Sequence, residues 1–161
     1  ATCLGAIRDG GFIEVDRDVD FACKQEDFEN CYENLGATLT QNDFQIELFD
    51  HRHSRPWGFR PFGYKIHKYG VNCDLGAWFK LKDKRWIPSH KLEFCLVHQA
   101  KYFDDLMTID FYGGKFKVPL QINGFLTEKY GNWTTKHGEF NNVCEPTCRK
   151  EIRDGNDFWW V

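Results

Sequence analysis

The alternation of apolar and polar residues is clearest at residues 106–122, where two alternating runs flank Gly113-Gly114. A two-residue primed turn needs positive φ, which glycine adopts without a steric clash, so this segment predicts a β-hairpin. With those glycines as the turn, Phe111 lies opposite Phe116. The predicted apolar face consists of Met107, Ile109, Phe111, Phe116, Val118 and Leu120.

The pattern elsewhere predicts one amphipathic helix and several more strands. Apolar residues recur at i, i+3, i+4 and i+7 from Phe28, which predicts a helix over about residues 24–35 that ends at Gly36. A helical turn is predicted between residues 99 and 106. Period-two alternation predicts strands at residues 11–15, 44–50, 62–68, 71–81 and 91–98.

These elements indicate an α+β fold in which an antiparallel sheet of four or more strands is flanked by one or two helices. The 161 residues fit a single domain, 1–161, with a hydrophobic core. The net charge of −3 does not favour nucleic acid as a partner, and no run is long enough to span a membrane. We expect a monomer without a cofactor.

Seven cysteines, none in a CxxC pair, favour a secreted protein stapled by about three disulfides. Cys23 and Cys31 stand about 12 Å apart if one helix contains both, which is too far for a bond between them. A bond between Cys73 and Cys95 is predicted, and Cys3 is a plausible partner for the tail. The framework is formed by Cys3, Cys23, Cys31, Cys73, Cys95, Cys144 and Cys148, with one thiol unpaired.

A start at Ala1 without Met is typical of a processed N-terminus, although an expressed fragment looks the same. Asn132 begins a glycosylation sequon, Asn-Trp-Thr, which is consistent with secretion. The secreted location and the glycosylation are therefore expectations that depend on composition and on one short motif.

A basic and aromatic loop at residues 51–60 is the best candidate interaction surface, formed by Arg52, Arg55, Trp57 and Arg60. The alternative is a surface loop that a buried Trp57 anchors. His51 and His53 have a spacing that metal ligands can use, but no third ligand is fixed. Scattered solvated histidines are the favoured interpretation, and no metal site is predicted.

Two further functions stay open. A small ribonuclease-like hydrolase would use Glu93, His98 and Arg55 for acid–base chemistry and charge stabilisation. A carbohydrate-binding protein would use exposed rings at Trp57, Trp159 and Trp160. The sequence contains no nucleophile elbow and no phosphate-binding glycine loop, so an enzyme is not the leading hypothesis.

The cysteine arrangement resembles the secreted avirulence effectors of plant-pathogenic fungi, and the closest group is the LARS effectors. The resemblance covers roughly the first hundred residues. It rests on Cys3, a short strand at 11–14, Cys23 and Cys31 around a helix, the His-Arg segment before Trp57-Gly58, and Cys73 and Cys95. It implies a non-enzymatic secreted protein that binds a host protein or immune receptor, with no functional residue carried over.

Overall fold

The computed structural model describes residues 1–50, 60–88 and 95–135 in full, and the backbone of residues 148–149, 151–154 and 157–160. Two compact units are present: residues 1–2 with 12–79, and residues 3–11 with 80–161. The helices are α1 (Thr2–Arg8), α2 (Gln25–Glu29), α3 (Tyr32–Gln41), α4 (Lys101–Asp104) and α5 (Ile122–Tyr130). The strands are β1 (Asp18–Lys24), β2 (Gln45–Asp50), β3 (Pro61–Lys68), β4 (Val71–Leu81), β5 (Lys84–Pro88), β6 (Cys95–Gln99), β7 (Leu106–Phe111), β8 (Gly114–Pro119), β9 (Cys148–Arg149), β10 (Glu151–Asp154) and β11 (Asp157–Trp160).

The first unit is a four-stranded sheet with two helices on one face. Strands β2, β3 and β4 pair antiparallel, and β1 joins β4 in parallel. The helix-covered face holds the core, which centres on Phe28, Tyr64, Ile66 and Ala77. Further apolar side chains pack against that centre: Cys23, Tyr32, Leu35, Leu39, Phe44, Ile46, Leu48, Cys73 and Leu75.

The second unit contains three antiparallel strands, β5, β6 and β9, together with two hairpins, β7–β8 and β10–β11. Helix α5 packs through Leu126, which is fully buried, and Phe125 stacks edge-on against Tyr102 with 5.6 Å between ring centroids. The α+β class with an antiparallel sheet and flanking helices is confirmed. The prediction of one domain over residues 1–161 stays a prediction.

The β7–β8 hairpin forms with a register two residues from the predicted one. Tyr112 and Gly113 make the turn, both at positive φ, so Phe111 pairs with Gly114 and Ile109 with Phe116. A two-residue shift keeps every side chain on its predicted face, because the strand period is two. The exception is Leu120, which follows β8 and is 56% exposed.

The predicted helix over residues 24–35 is broken into α2 and α3. The Asn30 side-chain amide donates to the Glu26 carbonyl at 2.8 Å, which competes with continued helical hydrogen bonding, and α3 begins anew after Cys31. The strand predicted at residues 11–15 is also wrong. Asp16 N donates to the Ile13 carbonyl in a turn, and the strand begins later, at Asp18.

The described residues contain no disulfide, which corrects the stapled framework. Cys3, Cys23, Cys31 and Cys73 are free thiols, so the predicted Cys73–Cys95 bond is absent. Burial raises the pKa of Cys23 to about 12 and that of Cys73 to about 11, which is the behaviour of inert, protonated packing residues. Cys144 lies outside the described residues, as does the side chain of Cys148.

None of the described helices combines the length and the apolar character that crossing a membrane requires.

Candidate functional site

Three carboxylates converge at one edge of the first unit's sheet. Asp18 and Asp20 are separated by one residue on β1, so both project from the same face of the sheet. In the parallel pairing with β4, Asp20 lies directly opposite Asp74. One oxygen from each of the three carboxylates lies within 4.8 Å of the others.

Local folding of β1 explains why these acids share a face. Cys23 aligns with Ala77 of β4, and both pack with Cys73 and Leu75 in the core on the helix-covered face. Burial of this apolar set fixes the register, because a one-residue slip would bring the aspartates into the core. The apolar alternation therefore places the acids on the other side of the sheet.

The electrostatics of this carboxylate cluster favour a bound cation. Burial raises the pKa of Asp18, and the negative charge of Asp20 and a hydrogen bond with Asp16 raise it further. The Ala1 nitrogen lies 2.7 Å from an Asp20 oxygen and 3.0 Å from an Asp16 oxygen. Concentrated negative charge of this kind is relieved by a divalent ion.

The donor set determines which ion fits. Three carboxylates with no sulfur or imidazole ligand are hard oxygen donors, which suit Mg²⁺ or Mn²⁺ better than Zn²⁺. Mg²⁺ characteristically takes one or two carboxylates, keeps several waters and completes its octahedron with substrate phosphates. The residues present therefore fit a divalent-cation site of the kind that handles phosphate groups.

The same sheet face continues with polar residues on β4 and β3. Asn72 lies opposite Asp18 on one side and opposite His67 on the other, and His67 Nδ1 is 2.9 Å from the Asn72 side-chain oxygen. Lys65 lies opposite Asp74. A partly buried polar surface thus extends from the carboxylate cluster across the sheet.

The predicted interaction loop is not part of this site as far as the structure describes it. Arg52, Arg55 and Trp57 lie outside the described residues, as do His51 and His53. Arg60 is described and exposed, immediately before β3. It is not one of the residues that converge on the carboxylate cluster.

The residues predicted for a ribonuclease-like hydrolase are likewise not part of the carboxylate cluster as far as the structure describes them. Glu93 and Arg55 lie outside the described residues, whereas His98 is fully buried in the second unit. His98 Nδ1 is 2.9 Å from Glu128 Oε1, which also accepts the Gln99 backbone N–H at 3.2 Å. Burial lowers the pKa of His98 to about 4, so it is neutral at pH 7.

The two tryptophans of the carbohydrate-binding hypothesis, Trp159 and Trp160, belong to β11, and only their backbone is described. Asn132, the predicted glycosylation site, is exposed, and the Thr134 hydroxyl donates to its side-chain oxygen at 3.0 Å. Glycosylation of Asn132 stays a prediction.

Sequence reasoning missed the carboxylate cluster because it predicted no strand at residues 18–24, where β1 lies. A usable signal was present: Asp16, Asp18 and Asp20 alternate with Arg17 and Val19 immediately before apolar residues. Aspartate is disfavoured in strands, so alternating aspartates at a strand start indicate chemistry rather than packing. No local sequence pattern indicated Asp74, because its position beside Asp20 depends on the pairing of β4 with β1.

The sequence was also compared with protein-family models, and one of them matches most of the chain. The model described as LicD/FKTN/FKRP, nucleotidyltransferase domain, matches residues 1–121. This span contains all three aspartates of the carboxylate cluster. No curated protein matches the chain.

The match overturns the functional predictions made from the sequence. A nucleotidyltransferase domain belongs to group-transfer enzymes, so the non-enzymatic effector or avirulence role is wrong, and the lectin-like and ribonuclease-like alternatives fail with it. The resemblance to LARS effectors is not tested by the match. Because the matched segment is 121 of 161 residues, the chain belongs to the LicD/FKTN/FKRP family by its nucleotidyltransferase domain.

Proposed function

We propose that this protein is a divalent-cation-dependent transferase that moves a phosphate-containing group from a nucleotide donor to an acceptor hydroxyl. One observation carries the proposal: Asp18, Asp20 and Asp74 converge within 4.8 Å inside the segment that matches a nucleotidyltransferase domain. Phosphate transfer is a reaction in which positioning and charge neutralisation do most of the work, and this is what such a cluster provides.

Asp18, Asp20 and Asp74 would hold Mg²⁺ or Mn²⁺. When bound, the ion neutralises negative charge on the phosphate oxygens and polarises the reacting phosphorus centre. The chain itself contributes rigidity, since Asp20 and Asp74 lie on paired strands whose opposite faces are locked by core packing. Ligands on strands are held more firmly than ligands on loops.

The transfer needs no covalent intermediate with the protein. The acceptor oxygen forms a bond to a donor phosphorus, and the phosphoanhydride P–O bond breaks with its electron pair staying on the departing phosphate. The hydroxyl proton leaves to solvent. The carboxylates act by fixing the geometry of attack.

The test is metal-dependent nucleotide binding and turnover. Purified protein would be titrated with ATP, GTP, CTP and UTP with Mn²⁺ and then with EDTA, and phosphate products would be followed by ³¹P NMR. We expect at least one nucleotide to bind only with Mn²⁺ and to be turned over slowly, with water replacing the acceptor.

The controls separate the carboxylate cluster from general charge effects. Asp20→Asn and Asp74→Asn should lose metal-dependent nucleotide binding, whereas Asp110→Asn, on the exposed β7–β8 hairpin, should behave as the parent protein. Absence of metal-dependent binding for all four nucleotides, or equal binding by the Asp20→Asn variant, would refute the proposal.

A further inference from the structure

The carboxylate cluster has a basic neighbour on the same sheet face. Lys65 lies on β3 directly opposite Asp74 of β4, and residues paired in this way project from the same face. The alternate residues of β3, Tyr64 and Ile66, are in the core on the opposite face. The register therefore places Lys65 beside the cluster by the same packing that positions the aspartates.

Lys65 is not engaged elsewhere in the part of the chain that the structure describes. It stands between Asp74 on one side and Glu47 of β2 on the other, yet it makes no ion pair within 4 Å with either. Its side chain is half-buried. A half-buried ammonium without a bonded carboxylate is placed to receive an anion from outside the chain.

The spacing between strands determines how far Lys65 lies from the aspartates. Neighbouring strands lie about 4.8 Å apart, so Lys65 is one strand from Asp74 and two strands, or about 10 Å, from Asp20. A cation held between those aspartates would be between one and two strand spacings from Lys65, and a phosphate on its β3 side would be nearer. The flexible four-carbon stem of lysine covers such a distance, and its ammonium is a common phosphate ligand.

Resting on the proposed function, we propose that Lys65 is the donor-binding residue that grips the diphosphate of the nucleotide, next to the cation held by Asp18, Asp20 and Asp74. The cation compensates the charge of Asp74, which leaves the Lys65 ammonium for phosphate oxygens. This pairing of acidic residues on β1 and β4 with a basic residue on β3 fits a substrate whose phosphates contact both the cation and Lys65. A neutral sugar or a single carboxylate would not supply anionic oxygens to both the cation and the Lys65 ammonium.

Inorganic pyrophosphate is the probe, because it contains the linked phosphates and nothing else. Its binding would be measured by calorimetry at saturating Mn²⁺ for the parent protein, Lys65→Met, Lys65→Arg and Lys117→Met. Lys117 is an exposed lysine on β8 and serves as the matched control. Mn²⁺ binding to each variant would be measured first, with circular dichroism to establish folding.

We expect Lys65→Met to bind Mn²⁺ as the parent does and pyrophosphate roughly tenfold to a hundredfold more weakly, as for loss of a hydrogen bond to a charged group. Lys65→Arg should retain most of the affinity, and Lys117→Met all of it. If the methionine variant fails to fold, Lys65→Gln replaces it.

Unchanged pyrophosphate affinity in the folded variant, or an equal loss in Lys117→Met, overturns the assignment of Lys65. The proposed function fails separately, if Asp20→Asn binds Mn²⁺ as tightly as the parent protein.

Discussion

Asp20 lies directly opposite Asp74 across the parallel pairing of β1 and β4. Like charges in directly paired strand positions are destabilising, and Asp18 adds a third carboxylate to the same face. An arrangement that costs stability is typical of functional sites, where chemistry is favoured over folding. The juxtaposition of Asp20 and Asp74 is therefore better explained by a role in binding a cation than by a role in folding.

This cost predicts a stabilising substitution. Asp18→Asn should raise the free energy of unfolding at pH 7 in EDTA by about 0.2–1 kcal/mol, because it removes a carboxylate whose pKa is raised by burial and by the negative charge of Asp20. With saturating Mn²⁺ the parent protein should be the more stable of the two, since the variant has lost a ligand to the ion. Urea unfolding under both conditions measures the effect, and a destabilised variant in EDTA would contradict it.

The contact between α3 and β3 predicts that a better helix former will destabilise the protein. Gly36 is buried in α3, and a Cβ there would lie 2.5 Å from Tyr64 Oη, which donates to the Tyr32 carbonyl at 2.8 Å. Alanine gains up to about 1 kcal/mol of helix propensity, but overpacking costs about 1–3 kcal/mol. With the full propensity gain, Gly36→Ala should therefore lower stability by up to roughly 2 kcal/mol in denaturant unfolding.

A double-mutant cycle checks the cause. Tyr64→Phe removes the hydroxyl that the new methyl group meets, so Gly36→Ala should cost less in that background than in the parent protein. Additive effects would show that the Tyr64 hydroxyl is not the obstacle.

Gly63 on β3 is predicted to be the glycine least tolerant of substitution. Its φ is +154°, and a Cβ would clash with the backbone carbonyl oxygen of Leu75 on the paired strand. Gly63→Ala should cost more than about 3 kcal/mol, since backbone atoms cannot move aside. Gly70→Ala is the control: φ is +80° with open space around it, so the cost should be only about 1 kcal/mol. Equal losses in thermal unfolding would contradict this account.

His98 makes stability depend on pH between about 4 and 6.5. Its pKa is lowered to about 4, chiefly by burial and also by the nearby Lys129, while the hydrogen bond and charge of Glu128 oppose the shift. In that range the unfolded chain binds a proton that the folded chain does not, so stability falls as the pH falls. At about 1.4 kcal/mol per pH unit, the loss is roughly 3 kcal/mol.

Urea unfolding at pH 4.5, 5.5 and 6.5 measures this dependence. His98→Gln should remove the part that belongs to the imidazole while leaving the carboxylate contributions in place. An identical slope in the parent protein and the variant would exclude His98 as its source.

Local patterns predicted the strands that have one apolar and one polar face. Strands β2, β3 and β4 lie where alternation placed them, and the β7–β8 faces are correct even though the turn moved to Tyr112-Gly113. The faces depend only on the period of two, whereas the turn depends on which residues adopt positive φ, and Tyr112 at +46° gave no sequence signal.

Other elements were decided by contacts that a local pattern does not contain. β1 pairs in parallel with β4, fifty or more residues away, and no strand was predicted at its position. The helix at residues 122–130 was missed because its buried side, Ile122 and Leu126, is narrow. The cysteine count suggested disulfides, but Cys23 and Cys73 are core packing residues. The carboxylate cluster required tertiary pairing and could not be assembled from sequence alone.

The most direct test of the account is Mn²⁺ binding by electron paramagnetic resonance, comparing the parent protein with Asp20→Asn, Asp74→Asn and Asp110→Asn. Outer-shell partners of metal sites are already worth about 10- to 100-fold in affinity, so losing a direct ligand should cost at least roughly a hundredfold. We predict that loss for Asp20→Asn and Asp74→Asn and unchanged binding for Asp110→Asn. Parent-like Mn²⁺ affinity in both cluster variants would contradict the assignment of a metal-dependent transferase site.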